Sequence, residues 1–252
     1  MCRLASIRAL LSCIGVDPNQ NVSVLGDLFG FARRRMPRDP DPNVVSSVSL
    51  LRQVRALQAQ HLHINIIRVG FDGIAAGDRD EAVEKFDYAV YRTRNIYGTV
   101  SLGIGRVEHF VVDTADANGR DDIGSEDEAD ALSDEWSVPN DGIDVFVVRN
   151  ISAGFVGISP RPGSCGKGPD NDGLVGGESG RGFEAIARTF AHEIGHFLNL
   201  PHNHGDDCPT TTAGQNNLMA QTRCALSARD SVLLTGAQGT TMRGRCQVRA
   251  AC

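Results

Sequence analysis

Hydrophobic positions along this chain change their period several times, and the changes mark out its elements. Val45, Val48, Leu51, Val54 and Leu57 recur in steps of three, which predicts an amphipathic helix over residues 44–60. Residues 62–71 then alternate and are rich in β-branched side chains, so a strand is predicted there. Helical spacing returns over residues 80–97, where Ala82, Val83, Phe86, Val90 and Tyr91 share one face. Residues 104–113 read as a second strand and residues 125–136 as a short acidic helix. Residues 143–149, Ile-Asp-Val-Phe-Val-Val-Arg, form a near-continuous apolar run of the kind buried on both faces of a sheet. Short strands are predicted at 154–159 and 174–177, and a long helix at 182–200. A C-terminal helix is expected over 227–234, because Ser227 is followed three residues later by Asp230, an N-terminal capping pattern. The succession of helices and strands suits an α/β sandwich built on a mixed sheet.

Residues 1–43 do not share this patterning. They include the charged, Pro-rich run Arg33-Arg34-Arg35-Met36-Pro37-Arg38-Asp39-Pro40-Asp41-Pro42 and read as an N-terminal extension or linker, the Arg cluster leaving a processing site after a propeptide as the alternative. Arg8 interrupts the apolar stretch at the N-terminus, which reads as an amphipathic helix rather than a signal peptide. At 252 residues the chain suits one domain, or one domain with an extension, and can bury a sizeable core. The net charge of −6 gives no footprint for nucleic acid. No apolar run reaches the roughly eighteen residues of a membrane span. Gly103-Ile104-Gly105 and Gly176-Gly177 lack the strand–GxGxxG–helix setting of a nucleotide site. No repeat or low-complexity tract is present.

The chemistry concentrates in His192-Glu193-Ile194-Gly195-His196-Phe197-Leu198-Asn199-Leu200-Pro201-His202, which reads HExxHxxNxxH. Residues four apart on a helix share a face, so His192 and His196 can aim two imidazoles at one ion. Glu193, one step round, can reach a water there but is poorly placed to ligate beside them. Two His ligands and a Glu general base are the layout of a zinc hydrolase. His202 adds a third nitrogen if the chain leaves the helix and turns back. Three protein ligands with a fourth position open distinguish catalytic zinc from four-ligand structural sites.

This stretch resembles the metzincin signature HExxHxxGxxH, which is followed downstream by a Met-turn. Met219, in Asn216-Asn217-Leu218-Met219-Ala220, stands where that Met would be. The resemblance implies zinc ligation by His192, His196 and His202, Glu193 as general base, and Met219 as an apolar floor beneath the imidazoles. It also implies an α/β (α+β) metzincin-like zincin, with a mixed twisted sheet, backing helices, an active-site helix and a small C-terminal subdomain. Residues 44–252 would be the catalytic domain, with 44–202 its upper subdomain and 203–252 its lower. An antiparallel edge strand near 154–159 would flank the cleft and template an extended peptide. Two positions depart from the pattern. Asn199 replaces the usual Gly, and no Tyr follows Tyr97, Gln221 standing where several metzincin families carry one after the Met. Asn is the next most tolerant residue of the left-handed conformation that ends many helices, so φ > 0 is expected at Asn199. The wording of the motif is similar to pappalysin-like and matrixin-like enzymes, and the nearby cysteines to pappalysin-like and reprolysin-like ones.

Seven cysteines stand at 2, 13, 165, 208, 224, 246 and 252, none in CxxC spacing. Four follow His202, a clustering that points to disulfides and a secreted, oxidising setting. Cys208 and Cys224 flank the Met219 segment and are expected to pair. Cys246 with Cys252, and Cys165 with an N-terminal cysteine, complete the expectation. Calcium candidates are the acidic patch Asp121-Asp122, Glu126-Asp127-Glu128 and Asp130, and the turn Asp170-Asn171-Asp172-Gly173, although a solvated acidic face and an ordinary turn explain both. His204 is placed outside the ligand set, and His61, His63 and His109 against solvent or a hydrogen-bond partner. The expected activity is zinc-dependent endopeptidase action on a protein or peptide. A zinc hydrolase of a non-peptide substrate and a non-catalytic zinc-stabilised binding protein are the alternatives. An intact Glu193 argues against the second, because a staple has no use for a base.

Overall fold

The structure, a computed structural model, describes residues 60–167 and 173–250. The expected N-terminal extension, nearly all of the helix at 44–60 and the Asp170-Asn171-Asp172 turn lie outside these residues. Gln60 already belongs to the first strand. In chain order the principal elements are β1 (Gln60–Val69), α1 (Ala76–Gly98), β2 (Leu102–Val112), α2 (Thr114–Ala117), β3 (Asp122–Ile123), α3 (Glu126–Glu135), β4 (Ile143–Val148), β5 (Asn150–Ile151), β6 (Gly157–Ile158), β7 (Gly173–Gly177), α4 (Phe183–Phe197), α5 (Thr212–Gln215) and α6 (Gly236–Arg243).

Five strands form one mixed sheet in the order β2-β1-β4-β7-β6. The first four are mutually parallel, and β6 pairs antiparallel to β7 at the edge. Ile66 of β1 stands level with His109 of β2 and Val145 of β4. Parallel strands joined by helical crossovers are covered on both faces, which is why all six residues of β4 are buried. Ile64, Ile66, Val145 and Leu174 pack on one face against Phe86 and Ala89 of α1 and Ile186, Phe190 and Ile194 of α4. Ile67, Val69, Phe146, Val148 and Val175 pack on the other against Ala129 and Leu132 of α3, with Trp136 alongside. Ser125 caps α3 by accepting from the Glu128 N–H at 3.2 Å, and three acidic residues complement the helix's first turn. β3 and β5 form a separate two-stranded parallel pair that the sequence pattern did not reveal.

The C-terminal helix lies later than expected. Ser227 does accept from the Asp230 N–H at 3.0 Å, but the turn ends there. Its carbonyls are taken by other elements, Arg229 O by Arg92 Nη2 at 2.8 Å and Ser231 O by Arg188 Nε at 3.0 Å. Leu233 instead runs beside Asn216 and Leu218, donating to Asn216 O and accepting from Leu218 N. The helix that forms is α6, started by a reciprocal capping box between Thr235 and Gln238.

Cys208 and Cys224 are bonded. Cys165 is bonded to Cys246, which replaces both the Cys246–Cys252 pairing and the partner of Cys165 expected from the sequence. The cause is tertiary: Gln247 Nε2 donates to Gly163 O at 3.2 Å and Ser164 O at 2.6 Å, drawing the C-terminal segment onto the loop after β6. No helix among the described residues is long and apolar enough to cross a membrane.

Candidate metal centre

Helix α4 carries the first two imidazoles, and the way it ends delivers the third. Asn199 N donates to His196 O at 2.7 Å and Leu200 N to Gly195 O at 2.9 Å, with Asn199 at φ 73°. These are the two bonds of a Schellman motif, with Asn in the left-handed position that Gly usually fills. The chain therefore leaves the helix axis at Asn199, just past the end of α4 at Phe197, and returns His202 to the same side. Pro201 restricts the run between them.

The three Nε2 atoms converge. His196 Nε2 stands 3.0 Å from His192 Nε2 and 3.2 Å from His202 Nε2. Two nitrogens bound to one tetrahedral zinc at about 2.0–2.1 Å are about 3.3 Å apart, so the spacing fits one shared ion. Main-chain carbonyls orient two of the rings. His192 Nδ1–H donates to Leu218 O and His196 Nδ1–H to Leu200 O, each at 2.7 Å. A carbonyl only accepts, so the Nε2 lone pair is left facing the centre, the orientation used by metal-bound His. Burial, followed by the neighbouring His196, holds His192 well below the usual imidazole range. Burial likewise lowers His196 to about 4 and lowers His202. Neutral imidazole is the ligating form. Among the described residues this triad is the one His/Cys/Asp/Glu group of at least three whose ligand atoms lie within 4.8 Å of one another. Three nitrogens without a thiolate or a fourth ligand suit an open zinc site.

Glu193 is buried beside the triad, and burial pushes its carboxyl up to about 8 against the pull of Arg188 and Arg181. Its side chain lies directly under the edge strand: a Cβ at Gly157 would come within 2.9 Å of Glu193 Oε1 and 2.8 Å of Thr189 Cγ2. Met219 is fully buried against α4, where a Cβ at Gly195 would stand 2.7 Å from its Sδ. Asn217 Oδ1 accepts from Met219 N at 2.9 Å, and Met219 O accepts from Asn203 N at 3.1 Å, tying this turn to the start of the segment after His202. Gln221, in place of a Tyr, is tied away by donating from Nε2 to Gly205 O at 2.8 Å.

Sequence reasoning missed Arg188. Its buried guanidinium donates to Leu218 O at 3.2 Å, to Ala220 O and to Ser231 O, clamping the Met219 turn to α4. Leu218 O is the carbonyl that also orients His192. Burial lowers Arg188 to about 10, with Glu193 opposing. The available signal was a charged side chain four residues before His192, on the ligand-bearing face of an otherwise apolar helix. His204 is exposed, its Nδ1 near Asn203 O, and does not join the triad. His63 Nδ1 lies 3.0 Å from Asp141 Oδ2, and both His61 and His63 are buried, whereas His109 is exposed. Three carboxylates of the acidic patch serve the chain itself. Asp121 pairs with Arg149, Asp122 accepts from Asn150 Nδ2 at 3.0 Å and Ser152 N at 3.1 Å, and Glu128 accepts from Gly124 N at 2.7 Å.

No protein-family model matches the chain, and no curated protein matches it. Among solved structures the chain is similar to metalloproteinase-II from Bacteroides fragilis, at 14% identity and a TM-score of 0.47, over 92% of this chain and 59% of that one. It is also similar to a chain in a structure described as a chaperone–substrate complex, at 15% identity and a TM-score of 0.45, over 75% of this chain and 34% of that one. The chain thus spans less than two thirds of the length of either.

Proposed function

We propose that this chain is a secreted zinc-dependent endopeptidase of metzincin type. The observation that carries the reading is the convergence of His192, His196 and His202 through Nε2 atoms 3.0–3.2 Å apart, beside a buried Glu193. His192, His196 and His202 would hold zinc, which when bound acidifies a water and polarises the scissile carbonyl. Glu193 takes a proton from the attacking water and returns it to the leaving amine. His192 and His196 are kept in one tautomer by Leu218 O and Leu200 O, so neither ring competes for that proton. Met219 supports the imidazoles from below as the Met of a Met-turn, and Arg188 holds that turn in register. Among the described residues β6 pairs on one side only, and its other edge accepts an extended peptide as a further strand above Glu193. The two disulfides fit an extracellular setting. A digest of a peptide library by pure protein, with and without a chelator, tests the reading: cleavage that chelation abolishes supports it, and intact peptides with zinc bound refute it.

A further inference from the structure

The loop that follows the edge strand carries an arginine that the site has not yet used. Arg161 lies three residues past Ile158 of β6 and two residues before Gly163. Gly163 is clipped onto the end of the active helix. Its N–H donates to Phe197 O at 3.0 Å, and its α-carbon sits so close that a Cβ there would be 2.4 Å from the Phe197 ring. From the other side Gly163 O accepts from Gln247 Nε2 at 3.2 Å, and Cys165 is bonded to Cys246. Prolines at 160 and 162 flank Arg161 and restrict the backbone on both sides. The span from Ser159 to Gly163 is thus short, stiff and anchored at both ends, next to His196.

The guanidinium is exposed, and no hydrogen bond or ion pair holds it among the described residues. Other cations of this neighbourhood are committed: Lys167 lies 2.6 Å from Asp144, and Arg249 lies 3.3 Å from Asp141. The loop's placement, between the end of β6 and the Gly163 N–H bond to Phe197 O, puts Arg161 between the edge strand and the end of the ligand-bearing helix. An exposed guanidinium with no ion pair among the described residues, on a restricted loop between the edge strand and the active helix, is a ready fork for a carboxylate.

We propose that Arg161 is a specificity-determining residue that recognises an Asp or Glu side chain of the substrate close to the scissile bond, so that the enzyme prefers acidic peptides. This rests on the endopeptidase reading above. The preference is a matter of affinity for a neighbouring side chain, and the proton transfers at Glu193 do not involve it.

The test uses the zinc-loaded full chain and a degenerate peptide library. Sequencing of the products is expected to show Asp and Glu enriched about fivefold over Ala at one position within two residues of the cleaved bond, the scale of a well-placed surface ion pair. Arg161→Ala should bring that ratio to one, Arg161→Lys should keep part of it, and Arg161→Glu should move the enrichment to Lys and Arg. Zinc content, measured on each variant, should not change. A second readout needs no turnover: the same library is passed over immobilised Glu193→Gln protein, with and without Arg161→Ala. Acidic peptides should be retained by the first and lost from the second. Absence of any acidic enrichment, or enrichment that survives Arg161→Ala, overturns the proposal. Acidic retention without cleavage would instead sink the peptidase reading and leave this recognition standing.

Discussion

Glu193 and Asn199 are the two side chains whose roles separate chemistry from delivery of the ligands. Glu193→Gln is expected to keep the helix, the burial and all three imidazoles while removing the proposed base. Zinc should stay near one equivalent while hydrolysis falls by about 10²–10⁴-fold. Metal analysis and kinetics on one sample decide this, and near-parental turnover would remove Glu193 from the mechanism. At Asn199 the backbone is the issue, because φ is 73°. Asn199→Gly should bind zinc and cleave about as well as the parent, since Gly adopts that conformation freely. Asn199→Val should lose zinc affinity, since a β-branched residue is a genuine outlier there. A Val variant that binds zinc normally would mean that His202 does not depend on this turn. Asn199 was legible in the sequence, because the motif spacing names the position and helix-ending chemistry names the left-handed conformation found there. Arg188 was not. Its partners Leu218, Ala220 and Ser231 lie 30 to 43 residues away, and nothing local tells a clamp from a surface cation.

Among the elements, the edge strand and the disulfide-closed turn carry the predictions. Gly157 lets β6 lie directly over Glu193, where even a methyl group would stand 2.9 Å from Oε1. Gly157→Ala should displace either the strand or the carboxylate. Activity should drop by an order of magnitude or more, as small misplacements at a reacting centre do, while zinc is retained. Unchanged kcat/KM in that variant would show that the close approach has no functional weight. The Cys208–Cys224 bond closes a loop over the segment that holds Met219, with a sequence separation of 16. Replacing both cysteines by Ala should cost about 3 kcal/mol of stability on the chain-entropy account. Denaturant titration of the full chain measures the loss, and an unchanged midpoint would contradict it. Periodicity located β1, α1, β2, α3, β4 and α4, because each buries a face against the sheet and its pattern reports that burial. It failed at residues 227–234, where a correct capping signal at Ser227 was overruled by Arg92 and Arg188 taking the turn's carbonyls. It failed also for Cys165 and Cys246, whose proximity depends on Gln247 and Gly163 meeting across the fold.

Across the described residues as a whole, a mixed sheet lies between two helical layers, α1 and α4 on one face and α3 on the other, with β6 at its edge. The alternation of strand and helix announced this α/β class, and the apolar run of β4 announced a strand buried on both faces. Strand order was less legible, since β7 lies between β4 and β6 although β6 precedes it in sequence. The central claim is that this scaffold exists to hold one catalytic zinc over a peptide-binding edge. The most direct measurement is metal-dependent proteolysis by pure full-length protein: zinc per chain, and cleavage of a peptide library before chelation, after chelation and after zinc is restored. One zinc per chain, with cleavage lost on chelation and regained with zinc, is the predicted result. Protein that binds no zinc at micromolar concentration, or that cleaves equally well after chelation, would contradict the account.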